Sequence, residues 1–547
     1  METKDCLQCK KEFSITQEDF EFYEKLKVPP PTLCPGCRQR RRYAWRNERV
    51  LYRRDCDLCK KSTVTIYSPK SPYTVYCPSC WWSDNWDPMS YGAEYDFNRG
   101  FFEQFKELQL KVPRMGLLTK NSVNSDYTNH AGNNKNCYLS FGIFDSENVY
   151  YSANTIVSPS KDCIDCYWSG GEVLYNCINC TNCYNCQYGM LLKNCTDCYY
   201  SYDLRDCSNC FLSSNLRSKS YCFKNEQLSK EEYEKKVSEY KLSSPKVRKE
   251  LYEEYKRMLK SEAIHRDGVI ENSNDCTGSM VFNSKTSTNI FDTRDAEDCK
   301  YIVVTVDIKD SMDVYHVGYS CERTYESQGM VRDTNVFFSH LCYDNSDMQY
   351  GDTCHNSQEL FGCISLKKKK YCIFNTQYSK EEYLELKERI IKQMTNRGEY
   401  GEFYPVEMSP FGYNETQGMV YMPMTKEEVL ANGWKWEDDM PGTYGKETVS
   451  ETPSGYDDSI TKEVLKCSRS GKNYNITPYE LSFYKQHKLP IPDLCPEERY
   501  QDRINLRPKR ELFDRSCSNC KKQVQSSYST SQVDIVYCYN CYKDAVL

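Results

Sequence analysis

CLQC at 6–9, CPGC at 34–37, CDLC at 56–59 and CPSC at 77–80 punctuate the first eighty residues. A Cys-x-x-Cys knuckle presents two thiolates from one tight turn, and two knuckles complete the tetrahedral set that a structural zinc requires. Cys6, Cys9, Cys34 and Cys37 form one candidate site; Cys56, Cys59, Cys77 and Cys80 form a second. Within the first, TQEDFEFYEKL reads as a helix that VPPPTL ends, and CPGC opens another helix, the plan of a treble clef. Within the second, STVTIYSPKSPYTVY reads as two short β stretches about a Ser-Pro turn, the plan of a zinc ribbon. Buried cysteines acting as small apolar filling do not account for four successive pairs.

The layout returns 461 residues later without a gap. Cys6, Cys34, Cys56, Cys59, Cys77 and Cys80 map onto Cys467, Cys495, Cys517, Cys520, Cys538 and Cys541, whereas Cys9 becomes Ser470 and Cys37 becomes Glu498. With sequential sites both losses fall in one site; with interleaved sites each would be damaged once. The sequential arrangement is the simpler history. It leaves Cys517, Cys520, Cys538 and Cys541 as an intact third site, with Cys467 and Cys495 as remnants or weak ligands.

The rest of the composition narrows the class. The chain has 547 residues, 33 Cys, 47 Tyr and a formal net charge of −6. That length accommodates several domains, and the acidic balance excludes a globally basic protein, so any nucleic-acid contact would need a local patch. METKDCLQCKKEF has no signal-peptide core, and no apolar run reaches membrane-spanning length. Reduced, paired thiols then imply a cytoplasmic protein with no membrane contact.

Such a patch is visible. If the chain stays helical beyond Cys37, Arg38, Arg42, Arg46, Arg49 and Arg53 share one face beside Tyr43 and Trp45. This stripe suits phosphate contact and base stacking, with Arg499, Arg503 and Arg507 as its echo. A face that pairs with acidic groups of the same chain, or with a protein partner, accounts for the spacing as well. WWSDNWD, just after Cys80, reads as a packing collar in preference to a ligand cage.

The centre is repetitive. NCYNCQYG at 182, NCTDCYYS at 194, DCSNCFLS at 206 and SKSYCFKN at 218 step by twelve residues. Fixed phases of Asn, Cys, Tyr and Ser predict a β-solenoid whose turns stack like side chains into ladders. Its cysteines either fill a narrow interior or, at Cys183, Cys186, Cys195 and Cys198, chelate metal between turns. A second array follows, and Tyr221, Cys222, Asn225 and Ser229 recur 150 residues on as Tyr371, Cys372, Asn375 and Ser379. His340, Cys342, Cys354 and His355 lack a knuckle and make a poor metal set. Lys367 to Lys370 reads as a solvated edge.

The expected fold is thus mixed, β-rich and multidomain, with treble-clef and zinc-ribbon modules at both ends of a duplicated β-solenoid carrying helical inserts. The expected segments are 1–90 (double zinc module), 91–130 (aromatic and helical joint), 131–228 (first array), 229–265 (helical insert), 266–378 (second array), 379–397 (helix), 398–459 (acidic linker) and 460–547 (second zinc module, first site degenerate).

CPGCRQRRR, RNERVLYRRDCDLC, YCPSCWWSDNWD, YDFNRGFFEQF, the NCYLS-type repeats and SKEEY together resemble a family of uncharacterised large zinc-ribbon proteins from candidate-phyla bacteria, over nearly the whole chain. Some members carry an automatic CaiB/BaiF CoA-transferase label, which these residues do not support: glycine is scarce and no long alternation of strands and helices occurs. The resemblance implies an architecture and no particular activity. The sequence is accordingly read as a non-catalytic protein with about three structural zinc ions. Its expected partner is nucleic acid, RNA or the ribosome in preference. The alternative is a protein-interaction scaffold with purely structural zinc. A metal- or thiol-dependent enzyme is a third reading, opposed by the closed four-ligand sites and by the lack of a P-loop, HExxH or Ser-His-Asp spacing.

Overall fold

The computed structural model describes residues 1–154, 159–316, 318, 324–326, 328–329, 332–441 and 455–547. The chain divides into two units, each discontinuous in sequence: Met1–Leu117 with Val269–Asp438, and Leu118–Gly268 with Asp439–Leu547. Each unit therefore joins one zinc module to the array more distant from it along the chain.

In the first unit the hairpin Glu2–Asp5/Glu12–Ile15 holds the Cys6–Cys9 knuckle at its tip. A Thr16–Asp19 capping box starts the helix Gln17–Leu26. Cys34 caps a second helix, Pro35–Tyr43, whose Pro35 supplies the pre-set first turn. The second site repeats the plan: hairpin Tyr52–Asp55/Ser62–Thr65, then Cys77 capping the helix Pro78–Trp82. Its Val75–Tyr76 strand pairs with Arg114–Met115 and not within the hairpin. The helix expected from FFEQFKELQL spans Phe101–Lys111.

Strands of this unit's array are parallel and in register at twelve-residue steps, as in Thr334↔Ser346, Ser346↔Gln358 and Gln358↔Lys370. An antiparallel strand, Thr376–Gln377, closes the stack ahead of the helix Lys380–Asn396 with its Ser379–Glu382 capping box. The 398–459 segment differs from a free linker up to residue 441: Phe403, Tyr404, Tyr413 and Trp434 are buried, because its aromatics pack into the unit's core. Residues 442–454 of it lie outside the described residues.

The second unit is built likewise. Parallel strands from Glu147–Tyr150 to Ser220–Phe223 stack, Glu226–Gln227 closes them, and the helices Lys230–Ser238 and Pro245–Ser261 follow. His265–Arg266 then pairs in parallel with Val536–Tyr537 of the C-terminal module.

Backbone geometry explains the odd composition of the repeats. Asn182, Asn185, Tyr188, Leu191, Asn194 and Asp197 all have φ near +50°, one left-handed residue in every three. Asn and Asp tolerate that conformation best among residues with a Cβ, which accounts for their periodic use. Their side chains then stack, as in Asn182→Asn194→Asp206 at 3.4 and 2.9 Å. Each following residue points inward, and there a thiol serves two carbonyls: Cys186 Sγ donates toward Tyr184 O at 3.4 Å and Cys195 O at 3.6 Å. Ser213 Oγ does the same toward Phe211 O and Cys222 O. Cys and Ser serve alike at these positions because each gives its one proton to nearby carbonyls, while Leu174, Leu192 and Leu204 fill other inward positions of the same interior.

Candidate metal centres and the buried arginines

Three groups of four thiols converge: Cys6/Cys9/Cys34/Cys37, Cys56/Cys59/Cys77/Cys80 and Cys517/Cys520/Cys538/Cys541, each with all sulfurs within 4.8 Å of one another. A Zn–S bond of about 2.3 Å puts tetrahedral sulfurs about 3.8 Å apart. Cys9 Sγ and Cys34 Sγ lie 3.7 Å apart, and Cys520 Sγ and Cys538 Sγ 3.8 Å. The donor sets therefore fit three structural zinc ions.

Backbone donors prepare the thiolates. Cys34 N, Cys77 N and Cys538 N donate to Cys6, Cys56 and Cys517 Sγ at 3.2, 3.2 and 3.3 Å. A thiol–thiol hydrogen bond from Cys37 pulls Cys34 down to about 4. At Cys517 burial opposes ionisation, but the N–H groups of Cys538 and Cys520 prevail and lower it to about 6. Lys10, Lys60 and Lys521, each one residue past a knuckle, have φ of 60–64°, the tight turn that lets both sulfurs face one point.

The degenerate site keeps its shape. Ser470 Oγ stands 3.7 Å from Cys495 Sγ, the separation of Cys9 and Cys34 in the intact copy. Across it Arg469 pairs with Glu498 at 3.1 Å and Asp502 at 2.7 Å. A salt bridge therefore spans the knuckle and the helix Pro496–Leu506, where a zinc ion would span them in the other copy.

The central cysteines Cys183, Cys186, Cys195 and Cys198 are buried, and each donates to the carbonyl two residues back. Among the described residues they do not gather into a group of three or more ligand atoms. His340 is drawn elsewhere too, with Nδ1 3.2 Å from Asp352 and Nε2 2.9 Å from Trp45 O.

Of the two readings of the arginine stripe, phosphate contact and pairing with acidic groups of the same chain, the buried members follow the second, and the single helical face is corrected. The helix ends at Tyr43, and the Asn47 side chain bonds Val50 O and Ile66 O to turn the chain, so Arg46, Arg49 and Arg53 leave the helical face. Arg38, Arg42, Arg46 and Tyr43 are each 1% exposed, and Trp45 is 0% exposed. Arg49 is half-buried, and Arg53, in a strand, is the exposed member. Asp313 of the array takes Arg38 at 2.8 Å and Arg42 at 3.2 Å. Arg41, outside the stripe, pairs with Glu326 at 2.5 Å and Glu402 at 2.7 Å. Arg46 pairs with Glu48 at 2.5 Å.

The C-terminal copy uses the same latch. Arg499 and Arg503 meet the buried Asp165 at 2.7 and 2.9 Å, and Arg507 lies over the Tyr167 ring at 4.3 Å. Arg38 and Arg499 also donate to equivalent carbonyls, Leu33 O at 2.7 Å and Leu494 O at 2.8 Å. Sequence reasoning missed Asp165, Asp313 and Glu326. Asp165, Asp313 and Glu326 stand at the same left-handed phase as the other Asn and Asp residues of the repeats, so nothing in the local sequence marks them out.

The chain matches no protein-family model and no curated protein. Among solved structures it is compared with a Desulfovibrio desulfuricans G20 protein provisionally described as an acetyltransferase, at 10% identity and a TM-score of 0.10, covering 51% of this chain and 81% of that one. A likeness at that score carries no argument. The class defined by fold and site is a β-rich multidomain protein with three tetra-cysteine centres suited to structural zinc. Among the described residues no helix is long and apolar enough to cross a membrane.

Proposed function

We propose that this protein is a non-catalytic scaffold: each twelve-residue stack is a β-solenoid, the zinc modules anchor onto the two stacks, and the outer faces carry protein partners. The observation that carries this reading is the fate of the arginines. Arg38, Arg42, Arg499 and Arg503, the residues a phosphate-binding surface would need, are buried against Asp313 and Asp165. A guanidinium committed to a buried carboxylate is not free to neutralise a nucleic-acid backbone. Four-thiolate centres leave no open coordination position, which favours a structural role over a catalytic one.

The test is capture of partners by tagged protein after nuclease treatment and in high salt, beside mobility shifts with RNA and DNA at low salt. Partners retained through both treatments, with contacts cross-linked to the array faces, support the scaffold. An RNA or DNA complex whose affinity falls steeply with salt would overturn it in favour of the nucleic-acid reading.

A further inference from the structure

The run after Cys80 folds into more than a collar. Trp81 and Trp82 end the short helix that Cys77 caps, and Trp86 returns beside them, its ring 5.9 Å from that of Trp81. Trp81 and Trp82 meet edge to face at 4.9 Å. His355 closes another side, 5.4 Å from Trp81 and 4.8 Å from Trp82, and itself stacks on Tyr343.

Into this box runs Lys367. Its ammonium lies 4.3 Å from the Trp81 ring centroid, 5.0 Å from Trp86 and 5.5 Å from Trp82, and it donates to Trp81 O. A cation within about 6 Å of a tryptophan face is attracted by the ring quadrupole, and several rings around one cation make a cage selective for ammonium groups. Asp84 adds a nearby negative charge.

Two features separate this cage from a fixed packing contact. Trp82 is 46% exposed, so one wall opens to solvent. Lys367 is held by the rings and one carbonyl; among the described residues no carboxylate forms an ion pair with it. The equivalent place in the C-terminal module is locked instead. Tyr542, aligned with Trp81, donates to buried Asp203, which pairs with Arg217 at 3.0 Å, and Arg266 lies 5.5 and 5.4 Å over Tyr539 and Tyr542.

We propose that Trp81, Trp82 and Trp86 form a recognition cage for a methylated ammonium group, with Lys367 as its built-in, displaceable occupant. Methylation removes the N–H donors that favour water over the cage while keeping the charge, so a trimethylammonium outcompetes a plain lysine on aromatic walls. Lys367 then sets the threshold: an incoming group must be better suited than the ammonium already present. The proposal goes beyond the scaffold reading and does not depend on it.

Tetramethylammonium is titrated against wild-type protein and Lys367→Ala, with tryptophan fluorescence as readout and zinc content as the folding control. Saturable binding is expected, at least tenfold tighter in Lys367→Ala than in wild type, because the internal competitor is gone. Adding Trp82→Ala should cost at least tenfold, and a neutral isostere bearing a tert-butyl group should bind at least tenfold more weakly. A trimethyllysine peptide that binds tighter than tetramethylammonium identifies a methylated protein as the source; a peptide no better than the free ion identifies a small quaternary amine. Should Lys367→Ala lose zinc, the wild-type titration decides alone, since displacement must appear at higher tetramethylammonium. No saturable binding to either protein, or equal binding with and without Trp82, overturns the proposal.

Discussion

Asp165→Asn isolates the latch in the unit that lacks a first zinc site. Asp165 is 0% exposed and balances two guanidiniums, Arg499 at 2.7 Å and Arg503 at 2.9 Å, themselves 5% and 0% exposed. The amide preserves shape but removes the charge that the two cations share at close range, and its NH2 faces donors. Breaking a buried pair from one side costs about 3–5 kcal/mol, because a desolvated charge is left behind. For a unit of this size about 1 kcal/mol moves the midpoint by about 2–4 °C, so the second unit should melt about 6–20 °C lower. Calorimetry reads the shift, and hydrogen exchange locates it: protection should fall first in the helix Pro496–Leu506. The same change at Asp313 should leave the Pro35–Tyr43 helix better protected, since zinc through Cys37 still holds that helix. Asp165→Asn within about 1 kcal/mol of wild type, with unchanged exchange, would refute the reasoning, since a buried pair cannot be lost so cheaply.

Purified protein should carry three zinc ions per chain by elemental analysis; Cys56→Ser should lose one, and Cys495→Ser none. Ser470→Cys with Glu498→Cys should add a fourth, because the Ser470–Cys495 separation already equals that of Cys9 and Cys34. His265 is buried with Nδ1 2.8 Å from Tyr202 OH and Nε2 2.6 Å from Leu259 O, and burial lowers it to about 4 from 6.5. Its contribution, about 3 kcal/mol, is complete above pH 6.5 and is lost as pH falls toward 4; acid unfolding of the second unit should follow that window, and His265→Phe should flatten it. Gly278 sits at φ +133° at a register shift between strands, where a Cβ would stand 1.8 Å from Ile290 O. Gly278→Ala should destabilise the first unit by at least about 2 kcal/mol in denaturant melts.

The sequence exposed what depends on local spacing. Knuckles at x2, a twelve-residue period and the Ser229 and Ser379 capping boxes are short-range patterns, and each occupies the expected place. It hid what depends on long-range partners. Arg38 and Asp313 are 275 positions apart, and the pairing of the first zinc module with the second array leaves no trace in local composition. The arginine stripe shows why the sequence left two readings open. A four-residue spacing of Arg looks the same whether the face meets solvent or a buried carboxylate, and a turn set by Asn47 cannot be read from propensity. Lys367 was obscure for the same reason: its cage comes from a segment 281–286 positions earlier.

The duplication assigns the two devices different weights. In the C-terminal copy the zinc ligands equivalent to Cys9 and Cys37 are gone, yet Arg499 and Arg503 remain with their Asp165. If those arginines served phosphate, nothing would tie them to a buried aspartate of the array; if they served only to support the zinc site, nothing would hold them once it decayed. The Arg469 pairs with Glu498 and Asp502 cannot be the substitute, since Arg469 is 48% exposed and such surface pairs contribute about 0–1 kcal/mol. The buried latch is then the element both copies keep, and the first zinc site is a reinforcement that only one copy has.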